Sequence, residues 1–230
     1  MKRSPLLPLG LTAALLLAPL AHAQGPAPAP PPAPAPSQTP APEREKLEGA
    51  KLDPLLSEIA RARKAVRTLK ASFTQERKLT LLATTVKSTG ELAFVAPDRL
   101  RWELLAPDDI VYLIGPEGLS YKTRSSKATV PATGATIAKA LADLRALLGG
   151  DLSSLKDRYV LTGSRGPNDV EIAGTAKDKT ASVRAFTLVL DKTLVLPLKA
   201  KLVEGKSDAI EITFANAAIN VPIDPSRMKP

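Results

Sequence analysis

Four carboxylates crowd into PDRLRWELLAPDD, residues 97–109: Asp98, Glu103, Asp108 and Asp109. Carboxylates on either side of a glycosidic bond can cleave it by general acid and base, and Asp108-Asp109 offers oxygen ligands to a hard cation. Three of the four adjoin Pro97 or Pro107, however, where short polar side chains ordinarily make turns. They read as turn residues, with Glu103 on a solvated face. Ser72, Ser120 and Ser126 carry hydroxyls, but a serine nucleophile needs a partner base. The only histidine is His22, near the amino terminus, and the chain has no cysteine. A Ser-Lys arrangement would require a proximity that spacing does not establish. No stretch matches GxGxxG or GxxxxGK[ST], so no phosphate-cradling loop is expected. The chain is read as a non-enzyme with no metal and no cofactor.

The first 23 residues explain where that histidine sits. Lys2 and Arg3 precede an apolar run from Leu6 to about Leu20, which ends in Ala21-His22-Ala23. This is the order of a secretory signal peptide, cut before Gln24. The run is short and interrupted by Pro8 and Pro19, unlike a membrane span. Cleavage would remove His22, leaving no histidine for Ser-His or zinc chemistry. Residues 24–42 are almost entirely proline and alanine, a composition that gives an extended spacer without a core. Residues 43–230 are of a size for one domain.

The elements that must position any site begin with a helix. Leu55, Ile59, Ala62, Val66 and Leu69 recur at helical spacing, and Asp53-Pro54 is a start signal. A helix is expected from about 54 to 69, with Arg61, Arg63, Lys64 and Arg67 mostly on its wet side. The period then drops to two. Leu92 and Phe94 share a side, and after Pro97 the residues Leu100, Trp102 and Leu104 oppose Arg99, Arg101 and Glu103. IVYLI at 110–114 is apolar on both sides, and Leu119, Tyr121 and Thr123 alternate again beyond a Gly-Pro turn, as in an antiparallel meander. Ile137, Leu141, Leu144 and Leu148 form a second helical stripe, stopped by Gly149-Gly150. A short helical piece with Leu152 and Leu155 follows. Strand signals return at 159–164, 169–174, 181–191, 193–205 and 208–220. Near a turn at Asp191-Lys192-Thr193, Phe186, Leu188 and Leu190 would face Leu194, Leu196, Leu198 and Leu202.

Strands thus come in runs, not alternating with helices. The expected fold is mainly β with α: a single, strongly curved antiparallel sheet, an open half-barrel whose concave face the helices cover. The formal net charge of +9 is spread along the chain with few aromatics between, which argues against nucleic acid and for anionic lipid or an acidic partner. The abundant leucine, isoleucine and valine leave two outcomes open, a solid core or an apolar cavity. Each buried methylene contributes about 0.8 kcal/mol, so a sixteen-carbon acyl chain would gain roughly 12 kcal/mol before ordering costs.

LKASFTQERKL (69–79), STGELAFVAPDRLRWELLAPDD (88–109) and LIGPEGLSY (113–121) together resemble the periplasmic outer-membrane lipoprotein carrier (LolA-like) family. Phe73, Gln75, Gly90, Leu92, Pro97, Leu100, Trp102, Pro107, Asp108 and Gly118 fit its pattern. From 137 onward the likeness is looser, as in a divergent branch. The resemblance implies a monomer that binds acylated lipoproteins or lipids without catalysis. It would receive them at the inner membrane, from an exporter there, and deliver them to an outer-membrane acceptor. Leu92, Phe94, Leu100, Trp102 and Leu104 would line the cavity, with Ile137, Leu141, Leu144 and Leu148 as its lid. Members of the family carry an arginine before the first proline of the strand, tied to handover. Here that position is Ala96, with Arg99 and Arg101 nearby. The alternative is an envelope lipid- or lipoprotein-sensing or structural interaction domain of the same fold.

Overall fold

The structure, a computed structural model, describes residues 44–116, 118–123, 130–131, 136–150, 152–205 and 207–229. The expected signal peptide (1–23) and the Pro/Ala spacer (24–42) lie outside them. Twelve strands form one antiparallel sheet: β1 (Glu45–Leu47), β2 (Thr68–Leu79), β3 (Thr84–Val95), β4 (Arg99–Leu104), β5 (Ile110–Gly115), β6 (Gly118–Thr123), β7 (Val130–Pro131), β8 (Tyr159–Arg165), β9 (Asp169–Ala176), β10 (Val183–Asp191), β11 (Pro197–Glu204) and β12 (Asp208–Ile219). Their spatial order is β1-β8-β9-β10-β11-β12-β2-β3-β4-β5-β6-β7. Two meanders, β2–β7 and β8–β12, are therefore joined at their first and last strands, where Phe73 of β2 pairs with Phe214 of β12. Three helices, α1 (Leu52–Arg63), α2 (Thr136–Gly149) and α3 (Ser153–Arg158), complete the fold.

The expected strong curvature is not found. The sheet is neither closed nor strongly curled, and its outermost strands among the described residues are β1 and the two-residue β7. Tight curling needs bulges or glycine kinks repeated from strand to strand. Register shifts here are confined to the β10–β11 and β12–β2 pairings. The alternation that places residues on a face says nothing about how far that face bends, and a half-barrel was an inference beyond it.

Two local differences have the same kind of cause. α1 stops at Arg63, not near 69, because from Leu69 the buried positions Leu69, Ala71 and Phe73 are spaced by two. Val66 and Leu69 satisfy both periods, so the helical pattern overran into the strand. In β11, Val189 pairs with Lys199 but Leu190 pairs with Pro197, so Leu198 is bulged out. It is 37 % exposed and does not join Leu194 and Leu202 in the core. α2 ends where expected: Gly150 adopts a φ of +79°, and a Cβ there would lie 2.9 Å from the Arg63 Cβ. Both the left-handed backbone and the close approach of α1 require glycine.

Candidate functional site

Directly paired residues of neighbouring strands share a face, so the register traces one apolar surface across the sheet. It runs from Leu47 through Gly163, Ile172, Leu188, Ala200 and Ile212 in one half. In the other it runs from Phe73 through Gly90 to Leu104, with Leu92 beside Trp102 and Phe94 beside Leu100. Leu92, Phe94, Leu100 and Trp102 are buried on this face, and Leu104 is half-buried against them.

The glycine in that pattern has a structural reason. Phe73 of β2 and Trp102 of β4 are separated by β3, yet their rings stack with centroids 3.9 Å apart. They meet because β3 offers Gly90 between them; a Cβ there would lie 2.2 Å from Phe73 Cζ. Phe214 closes the cluster edge-on, 6.4 Å from Phe73 and 6.2 Å from Trp102. The same device recurs in the other half, where Phe186 covers its cross-strand partner Gly174. Phe73, Gly90 and Trp102 are thus one packing unit spread over three strands.

The helices cover this face. Leu55 and Ile59 of α1, Leu144 and Leu148 of α2, and Leu155 of α3 all belong to the same core cluster as the strand residues. Of the four candidate lid residues, Leu144 and Leu148 are buried; Ile137 and Leu141 lie earlier in α2, and their side chains are outside the described residues. These helix residues pack with the buried strand residues in one cluster, in which the Phe73 and Trp102 rings are stacked.

Two polar attachments hold α2. Arg63, expected on the wet side of α1, is buried, and its Nη1 donates to the carbonyl of Leu148 at 3.0 Å. Its Nε and Nη2 are also buried and find no hydrogen-bond partner among the described residues. Burial pushes the Arg63 guanidinium down to about 10, against the opposing influence of the Asp191 charge. The second attachment is Asp143, a buried carboxylate that accepts from the Tyr159 hydroxyl and pairs with Arg158, each at 2.6 Å. Burial and the Asp143 carboxylate both push the Tyr159 hydroxyl well above its ordinary range. Sequence reading missed both: Arg63 sits among three other basic residues, and nothing in its spacing marks it as interior.

The opposite face of the sheet is polar. Arg101 does not reach the apolar side; its Nη2 bonds Glu103 at 2.8 Å and its Nη1 donates to the carbonyl of Arg227 at 3.3 Å. Arg227, in the 3-10 turn Pro225–Met228, bridges Glu103 at 2.9 Å and Glu91 at 3.1 Å. Glu91 and Glu103 are cross-strand partners, so the arginines offset a like-charge pair. Lys70, Ser72 and Asn216 complete a shallow polar cleft of about 280 Å³ around them. Arg99 borders a separate small groove with Thr68, Val95 and Met228. The carboxylates of the opening stretch form no cluster for catalysis. Asp98 and Asp108 lie in turns, and Asp108 accepts from the Ser88 hydroxyl at 2.6 Å. Ser72 donates to the carbonyl of Ala215 at 3.1 Å, and Ser126 lies outside the described residues. Among the described residues no group of three or more His, Cys, Asp or Glu is placed to hold a metal ion.

A comparison with curated proteins finds no match. Solved structures are similar at low identity. A LolA superfamily protein from Nitrosomonas europaea is 8 % identical with a TM-score of 0.41, covering 77 % of this chain and 97 % of that one. The MucA/MucB complex of Pseudomonas aeruginosa gives 18 % identity and 0.45, over 79 % and 61 %. The lipoprotein LppX of Mycobacterium tuberculosis gives 15 % and 0.40, over 75 % and 98 %. A family model described as outer membrane lipoprotein carrier protein LolA matches residues 64–229, which take in the Phe73–Gly90–Trp102 unit, α2 and the Arg227 turn, and the chain belongs to that family.

Proposed function

We propose that this chain is exported to the periplasm and carries the acyl chains of lipoproteins or lipids from the inner to the outer membrane, without a chemical step. The observation that supports this reading is the continuous apolar face of the sheet, covered by short helices and held to α2 through an under-satisfied buried arginine. Because Leu144 and Leu148 are buried in one cluster with these strand residues, loading requires α2 to leave the face, so that acyl methylenes replace its leucines on Leu92, Phe94, Leu100, Trp102 and Leu104. Such an exchange trades one apolar contact for another and keeps the net cost small. Ile137, Leu141, Leu144 and Leu148 are then the displaced lid. Opening also returns the Arg63 guanidinium to water, which relieves the cost of its unpartnered donors.

An inner-membrane donor and an outer-membrane acceptor complete the cycle. Arg99, beside the groove with Thr68, Val95 and Met228, and Arg101, joined to Glu103 and the carboxy-terminal turn, are the two arginines proposed for handover. The burial of α2 leucines among these strand residues also favours a second reading, an envelope sensing or structural domain that holds no cargo. Native mass spectrometry of the protein isolated from its own cell envelope separates the two. A co-purifying acylated protein or lipid supports the carrier; a bare chain that fails to take up a triacylated lipopeptide supports the second reading.

A further inference from the structure

The hairpin β2–β3 extends past β4 on one side, while β2 stays paired with β12 as far as Lys78. β4 pairs with β3 only from Gly90 onward, so Thr84–Ser88 pair with β2 alone among the described residues. At the tip, a 3-10 turn (Thr80–Leu82) ends in Ala83 with a φ of +48°. Leu81 is 95 % exposed, Leu82 69 % and Val86 44 %. Three of the seven large exposed apolar residues of the described chain therefore fall within six positions. An entropy-driven fold gains nothing from this placement.

The turn is also held in place. The Thr80 backbone N–H donates to the Asp208 carboxylate and its hydroxyl donates to the carbonyl of Ser207, each at 2.9 Å. Asp208 opens β12 and Ser207 immediately precedes it. Leu81 and Leu82 are thus presented on a braced turn, so that little ordering remains to oppose binding. Behind the tip, Lys78 and Lys201 both pair with Glu211, and Lys87 pairs with Glu76. These pairs run along the sheet, and the Lys87 side chain remains 74 % exposed.

We propose that the Leu81-Leu82 tip is a membrane-docking wedge that inserts into an anionic bilayer surface. Two leucines on a turn and one valine on the adjoining strand are far too few for a stable protein interface, which needs about 800 Å² from each partner. They suit a bilayer, which deforms around a wedge and needs no matching groove. Behind the tip, Lys78 and Lys201 share the one carboxylate of Glu211, so the region keeps a surplus of positive charge to face lipid phosphate. A chain of formal net charge +9, two charges of which (Lys2 and Arg3) lie in the expected signal peptide, is also drawn toward a negative surface. Docking uses the outer end of the hairpin and leaves the helix-covered face free.

The chain has no cysteine, so single probes are clean. In the full chain, Leu82→Cys carries an environment-sensitive fluorophore, and Leu198→Cys on β11 serves as control. Both are mixed with vesicles of phosphatidylethanolamine containing phosphatidylglycerol. Emission at 82 should shift to the blue and emission at 198 should not. The variant Leu81→Ser/Leu82→Ser should lose about 100-fold in vesicle affinity, about tenfold per leucine. Its thermal midpoint should not change, since both side chains are exposed, and neither should its uptake of a soluble acylated lipopeptide, which reports the carrier site independently. An unshifted probe at 82, a double variant that binds vesicles like the parent, or a shift produced only by a protein partner would each overturn the wedge.

Discussion

Replacing Gly90 by alanine tests the packing unit on which the apolar face is built. A Cβ at position 90 would stand 2.2 Å from Phe73 Cζ and 2.2 Å from the carbonyl oxygen of Glu103. The ring is pinned between Trp102 and Phe214, and the carbonyl belongs to β4, so neither yields freely. Overpacking of this kind costs about 1–3 kcal/mol. Against it, alanine reduces the freedom of the unfolded chain, worth about 0.4–1 kcal/mol. The net expectation is a loss of about 1–2 kcal/mol. For a domain of this size each kcal/mol moves the midpoint by about 2–4 °C, so Gly90→Ala should melt roughly 2–8 °C below the parent by circular dichroism. Phe73→Leu in the Gly90→Ala background removes the ring conflict but not the carbonyl conflict. The pair should therefore couple by at least about 0.5 kcal/mol in a double-mutant cycle. If Gly90→Ala melts at or above the parent temperature, the ring does not lie over Gly90 and the account of the motif fails.

Other perturbations probe the attachments around that unit. Asp143→Asn cannot serve both Tyr159 and Arg158 as the carboxylate does, and should lower the unfolding free energy by about 1–3 kcal/mol in urea. Burial works to raise the Asp191 carboxyl, but bonds from the Thr193 hydroxyl and the Leu196 and Val195 N–H groups outweigh it and hold it below its usual value. A depressed folded pKa stabilises above the unfolded value of about 3.9 and is lost as pH falls through the folded value. The urea-midpoint difference between the parent and Asp191→Asn should therefore be full at neutral pH and vanish in stronger acid; a difference that grows on acidification would contradict this sign. Arg227→Ala should cost less than about 1 kcal/mol, because its pairs are partly exposed. It should nonetheless speed amide exchange over residues 220–229, by releasing the turn from Glu91 and Glu103.

The strand at 99–104 and its apolar side were legible because alternation is strict there and prolines bracket it. The helix over 136–149 was legible from three- and four-residue spacing, with Gly149-Gly150 supplying the stop. What escaped reading depends on relations between distant residues. The end of α1 was hidden because Val66 and Leu69 fit both periods. Leu198 was misplaced because a one-residue bulge reverses facing without changing composition. Arg63 was assigned to water because only the arrival of α2 buries it. Curvature was overestimated, since it needs bulges and kinks repeated from strand to strand, and register shifts among the described residues occur only in the β10–β11 and β12–β2 pairings. At the site, the motif residues Phe73, Gly90 and Trp102 were identifiable singly, whereas their stacking across β3 required the register.

Trp102 is the chain's only tryptophan and lies at the centre of the proposed cargo surface. A lipopeptide with brominated acyl chains quenches an indole only on near contact. Titrated into the protein, it should quench Trp102 emission saturably, while the same peptide without acyl chains should leave it unchanged. Emission that stays constant while the lipopeptide demonstrably binds would place the acyl chains elsewhere and contradict the proposal that they displace α2 from this face.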